Sequence, residues 1–216
     1  GSFCSAVLFD QHRMSARAQR SDDIGRGHAE HLIPMLESLI LEAECSWADI
    51  HHVVSVTGPG SFTGVRVGLA TAKGLALGLA IKCTGVSVFQ AFAHQIKNER
   101  PLVVLLDAKR SEFWFQVFDA QRNPLSEPGT AKIETIGHKI SQLVDLESVD
   151  LAGSGASIVV QKDGLNFPNR IVTQAGSPDI AAVAEFASLS PSMGLPPKPL
   201  YIREPDAKPQ LFGEKK

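Results

Sequence analysis

The sequence predicts an α/β protein built in two parts, and three observations carry that prediction. Short runs of strand formers alternate with apolar runs of helical spacing from Phe3 to Glu99. The pattern starts afresh at Arg100-Pro101 with a new pair of strands. Of the 216 residues, 44% are hydrophobic, enough for one large core or two small ones.

"FCSAVLFD", Phe3–Asp10, is rich in strand formers and runs into a polar "QHR" turn; weak alternation over 14–20 makes a hairpin with it. In "SDDIGRGHAEHLIPMLESLILEAECS", Leu32, Met35, Leu36, Leu39, Ile40 and Ala43 recur at three and four residues, the spacing of one helical face. Pro34 is then expected in the first turn, where its missing N–H costs nothing. "HHVVSVTG" carries the β-branched run of a buried strand. A helix from Ser61 or Phe62 to Leu79, the strand "IKCTGVS" and the helix "VFQAFAHQIKNE" follow. Beyond Pro101, "LVVLLDAKRSEFWFQVFDAQRNP" reads as two strands about a turn made by Asp107, Lys109, Arg110 and Ser111. Glu112, Trp114 and Gln116 should line a wet face, opposite Phe113, Phe115 and Val117. Weaker signals give a strand at 150–152, a turn at "GSGA", a helix over 178–189 and a short edge strand at 200–203 in a proline-rich tail. The division falls near residue 100, with 1–100 as one lobe and 101–216 as the other.

Charge and cysteines exclude several classes. Twenty-one basic residues against 23 acidic ones give a net charge of −2, which is not the footprint of a protein gripping nucleic acid alone. No apolar run reaches the roughly 18 to 20 residues of a membrane span, because Lys73 and Lys82 bracket the longest. No secretory signal is read, and no membrane partner is expected. Cys4, Cys45 and Cys83 lack CxxC spacing and are expected to be buried free thiols in a reducing cytoplasm.

The most unusual stretch is "SVTGPGSFTGVRVGLATAKGLALGLA". It fails as a phosphate loop, since the first lysine after its glycines is Lys73, and Gly58, Gly60 and Gly64 miss the GxGxxG spacing by one residue. No cofactor is therefore expected. It succeeds as a tight strand-to-helix turn, with Gly58 and Gly60 at positive φ and Ser61 or Thr63 as the cap. The helix beyond carries Gly64, Gly68, Gly74 and Gly78, each costing about 0.5–1 kcal/mol relative to alanine. With Thr71 and Leu75 between them, these positions clear a stripe for a close neighbour. Spacing alone leaves open whether that neighbour is the helix over 29–45, the sheet, or another subunit.

No enzymatic or metal motif competes. His28 and His31 in "HAEH" miss the HExxH spacing, and His51 and His52 point to opposite faces of a strand. No G-x-S-x-G elbow exists, so no catalytic residue is assigned.

"GPGSFTGVRVGLATAKGLA", with "HAEHLIPML", "LLDAKRSEFWFQVF", "LAGSGA" and "PLYIRE" in the same order, resembles the TsaB (YeaZ) family of bacterial threonylcarbamoyladenosine synthesis. The resemblance implies a two-lobed actin-like, RNase H-like (ASKHA) fold without a working nucleotide site. It implies a non-catalytic scaffold that pairs with TsaD, the subunit that modifies the adenosine beside the tRNA anticodon, with TsaE joining as an ATPase. Alone, such a chain is expected to form a homodimer, and to meet tRNA only through the complex. Contact is implied through the helices over 28–44 and 62–79, with His31, Met35, Leu39, Gly64, Val67, Gly68, Thr71, Leu75 and Gly78 as partner-binding residues. Members of the family begin with an extra strand ending in a "DTS"-like turn. Here the first strand is expected to be missing, leaving unpaired backbone beside 53–56. The alternatives are an endopeptidase, which older naming of the group suggests, and a small-molecule kinase of the actin-like class. The first lacks a nucleophile elbow or metal motif, and the second lacks phosphate loops in both lobes, "DLAGSGA" being too short to serve.

Overall fold

A computed structural model describes residues 3–25, 27–162, 171–190 and 194–202. Its first half runs β1 (Phe3–Asp10), β2 (Ser15–Asp23), α1 (His28–Glu42), β3 (His52–Gly58), α2 (Phe62–Leu79), β4 (Lys82–Ser87) and α3 (Val88–Gln95). Then come β5 (Leu102–Lys109), β6 (Glu112–Phe118), β7 (Gly129–Lys132), α4 (Ile133–Ser141), β8 (Asp150–Ala152), α5 (Ala156–Lys162), β9 (Ile171–Thr173) and α6 (Ile180–Leu189).

β1 and β2 form the expected antiparallel hairpin, and β3 and β4 pair in parallel with α2 as their crossover. Among the described residues no ladder joins the two pairs. The α1 periodicity does what its spacing requires: Met35, Leu39 and Ala43 pack on Cys4, Ala6 and Ala18 of the hairpin. Pro34 differs from expectation, because α1 begins at His28 and so places it in the second turn. The hydrogen bond it forgoes is to the carbonyl of Glu30, and both residues lie on the exposed side. Burial pushes the Cys4 and Cys83 thiols up, and all three cysteines are unbridged.

The second half is a five-stranded sheet in the order β7-β6-β5-β8-β9. One face, with Val103, Leu105, Phe113, Phe115 and Val117, is covered by Ile136 and Ile140 of α4 and Ala156 and Val159 of α5. On the other face Glu112, Trp114 and Gln116 of β6 were expected to be wet, but Gln116 is buried and Glu112 and Trp114 are only partly exposed. Phe89 and Phe92 of α3 cover Leu102, Val104, Leu106 and Phe118, Trp114 packs against the same cluster, and buried Gln116 donates to the Ser126 carbonyl. The turn between β5 and β6 is built as predicted, with Lys109 N–H donating to Asp107 Oδ1 and Lys109, Arg110 and Ser111 at positive φ.

The last helix and the chain after it depart from the expected division. α6 packs on α3 and on β1, β2, β3 and β4, placing Val183, Phe186 and Ala187 against Val86 and Ala91. They therefore lie with the first half's strands rather than with the second sheet. No strand forms at 200–202, and Arg203 lies outside the described residues; the tail instead bridges Gly85 through Leu195.

Between α3 and β5 the chain passes through a charged knot. Asp150, fully buried at the start of β8, faces Arg100 Nε at 3.3 Å and accepts from the Asn98 amide. Arg122 donates to the carbonyls of Ile96, Asn98 and Arg100 at 2.8–3.1 Å, so one guanidinium holds three linker carbonyls.

Candidate protein-interaction surface

The glycine-rich turn leaves β3 at Gly58, whose φ of +104° suits only glycine; Gly60, expected to share that conformation, does not. Ser61 caps α2 by accepting from the Gly64 N–H at 3.3 Å, which decides between the two candidate caps. Leu69, Ala72 and Ala76 then form the buried arc of the helix.

What the four helical glycines meet is informative. A Cβ at Gly64 would lie 3.9 Å from the His28 ring, and one at Gly68 would lie 3.8 Å from Ser55 Oγ. Both are ordinary contacts. A Cβ at Gly74 or Gly78 would meet nothing within 4 Å. Elsewhere glycine is required by packing: at Gly153 a Cβ would run into the Leu105 carbonyl, and at Gly155 it would come within 2.7 Å of the Phe113 ring. Among the described residues no contact of α2 imposes such a demand. Gly74→Ala and Gly78→Ala should accordingly each raise the stability of the free protein by about 1 kcal/mol, read by denaturant unfolding; destabilisation by either would mean that the stripe has an internal neighbour.

The predicted contact residues divide. Gly64, Val67, Gly68, Thr71 and Leu75 are half-buried along one flank of α2, and Gly78 and His31 are exposed. Met35 and Leu39 are corrected: at 5% and 0% exposure they point into the core beneath α1 and are unavailable to a partner. The outer surface carries large apolar residues that sequence reasoning passed over. Leu77 is 84% exposed, Leu41 is 78% exposed, and Ile33 and Phe62 are also exposed. A signal existed for Leu77, which falls outside the arc of Leu69, Ala72 and Ala76. The starts of the two helices meet where the His28 ring lies beside Gly64. On α2's other flank, Arg66 stacks over the Phe62 ring at 3.7 Å and donates to Tyr201 Oη at 2.8 Å.

Sites for chemistry are not assembled in the same way. Burial would push the Asp107 carboxyl up, but hydrogen bonds from the Lys109 side chain and N–H, with the ammonium charge, hold it below its ordinary value. It is a turn-making carboxylate in an ion pair of 2.8 Å. Among the described residues no three His, Cys, Asp or Glu side chains group as metal ligands, and no helix is long and apolar enough to cross a membrane.

Comparison with known proteins places this geometry. A family profile described as "TsaD: tRNA N6-adenosine threonylcarbamoyltransferase" matches residues 22–186. An uncharacterized protein of Mycobacterium tuberculosis is 28% identical over 95% of this chain and 89% of its own. The Escherichia coli tRNA threonylcarbamoyladenosine biosynthesis protein TsaB is 29% identical over 65% of this chain and 62% of its own. A solved Pseudomonas aeruginosa structure, described as an uncharacterized protein with similarity to peptidase YEAZ, superposes with a TM-score of 0.75. It is 21% identical, over 94% of this chain and 95% of that one. The chain therefore shares the α/β fold of that solved structure, as the family resemblance implied.

Proposed function

The chain belongs to the family described as TsaD: tRNA N6-adenosine threonylcarbamoyltransferase, among its TsaB/YeaZ members, and we propose that it is a non-catalytic scaffold of tRNA threonylcarbamoyladenosine synthesis. On this reading it binds and activates TsaD through α1 and α2, TsaE joins in an ATP-dependent complex, and tRNA is met only through that complex. The contact set is His31, Gly64, Val67, Gly68, Thr71, Leu75 and Gly78, flanked by Ile33, Leu41 and Leu77. In the absence of TsaD the same face pairs two copies about a two-fold axis.

One observation carries the reading. α2 holds four glycines at a cost of about 0.5–1 kcal/mol each, and among the described residues nothing approaches closely enough to require them. A neighbouring helix from outside offsets that cost by approaching the bare stripe.

The deciding experiment is a pull-down of TsaD by this protein, repeated with and without TsaE and ATP. Retention of TsaD alone and of TsaE only with ATP is expected; no retention of TsaD overturns the reading. The isolated protein should bind no MgATP in the micromolar range by calorimetry, because its glycine turn lacks a positioned lysine and Asp107 is committed to its own turn. Micromolar binding without a partner would favour the kinase alternative.

A further inference from the structure

We propose that residues 194–202, the chain after α6, form a strap that closes the crevice at the carboxyl end of β3 and latches the first turn of α2. The strap thereby governs the contact face on α2, an inference that rests on the reading above. In open α/β sheets, ligands enter the crevice beyond the carboxyl ends of the strands. Here the chain itself fills that space.

The strap is held at successive points. Leu195 exchanges both backbone hydrogen bonds with Gly85 on β4, at 2.7 and 2.8 Å. The Leu200 N–H donates to the Thr57 carbonyl at 2.8 Å, and the Leu200 carbonyl lies beside Gly58, at the mouth of the glycine turn. Leu200 and Ile202 pack with Val56, Ile96 and Trp114 against the cluster that α3 shares with β5. Tyr201 turns the other way, its ring centroid 6.0 Å from that of Phe62 and its hydroxyl accepting from Arg66 Nε.

Two features make this a specific seat. Gly85 leaves room for the crossing: a Cβ there would run into the Thr57 methyl and come within 2.9 Å of the Pro196 carbonyl. Phe62 and Arg66 belong to the first turns of α2, where the helix leaves its N–H groups without intrahelical partners and Ser61 satisfies one. Tyr201 grips those turns from the flank opposite the glycine stripe, so that losing it frees the end of the helix that carries Gly64, Val67 and Gly68.

The test uses the full chain with Trp47→Phe, so that Trp114 is the reporting tryptophan. Tyr201→Ala and Gly85→Ala release the strap from opposite ends. Each should speed amide hydrogen exchange over residues 63–66 by about tenfold and roughly double acrylamide quenching of Trp114. Affinity for TsaD should fall about tenfold, with Tyr201→Phe, which keeps the ring, in between. Folded Tyr201→Ala protein with unchanged exchange and quenching overturns the proposal, as does unchanged TsaD affinity once the strap is released. Should Gly85→Ala fail to fold, the exposed Tyr201 decides alone. Should the parent show no TsaD affinity, the scaffold reading fails, while exchange and quenching still report on the strap.

Discussion

Thr71→Arg protein, with its fold intact, is expected to bind TsaD about 30-fold more weakly than the parent and to lose self-association with it. Thr71 lies half-buried on the flank of α2 that also carries Gly68, Leu75 and Gly78. An arginine there fills the stripe and puts a guanidinium where a second helix must come close. Disrupting the centre of a packed interface costs about 2 kcal/mol or more, and 1.4 kcal/mol is tenfold in affinity. The free chain should tolerate the change, because among the described residues nothing lies within 4 Å of a Cβ at neighbouring Gly74 or Gly78. Circular dichroism and thermal melting check the fold; sedimentation and titration check the two associations. Normal dimerisation and TsaD binding by a folded variant would place the interface elsewhere, and an unfolded variant would mean that the stripe is internal packing.

The limits of the sequence follow from where each signal originates. The ends of β1 and the C-terminal end of α2 are legible residue for residue and the start of α2 to within one residue, since local chemistry sets them: strand formers closed by a polar turn in one case, a hydroxyl cap and the last apolar turn in the other. Periodicity also identifies Met35 and Leu39, but a helix face points one way only. These two residues serve the core of the hairpin, so of α1 only the opposite face, with His31, remains for a partner. Trp114 and Gln116 look solvent-facing because alternation reports the two sides of a strand, not what long-range packing lays on each; Trp114 packs into the cluster that α3 covers, and Gln116 is buried with its amide on the Ser126 carbonyl. β7, α4, α5 and β9 escape for a related reason. They are four, nine, seven and three residues long and lack the apolar runs that mark α3 and β5, so they are fixed mainly by the sheet they join. The return of α6 and the strap to the first half leaves no local trace at all. For the candidate surface, the glycine stripe was legible as a stripe, but spacing left its neighbour open, and the outward role rests on the family resemblance together with the open space at Gly74 and Gly78 among the described residues.

Asp150→Ala is expected to destabilise the protein by about 3 kcal/mol, the low end of the penalty for breaking a buried ion pair from one side. Asp150 has no exposed surface, whereas its partner Arg100 is about one third exposed and can recover some hydration, which argues against the full penalty. What remains is the Asn98 amide and the inner side of the guanidinium facing the space the carboxylate filled. In a chain of this size, a loss of that order lowers the melting temperature by roughly 6–12 °C. Asp150→Asn, which keeps the shape and one acceptor, should lose less. The site matters beyond its own energy because Asn98 and Arg100 lie on the linker whose carbonyls Arg122 holds, and that linker joins α3 to β5. Loosening it at Asp150 should therefore speed hydrogen exchange over 96–101 more than within α2. An Asp150→Ala protein that melts with the parent would show that the knot is solvated and that the linker is held by the α3 cluster alone.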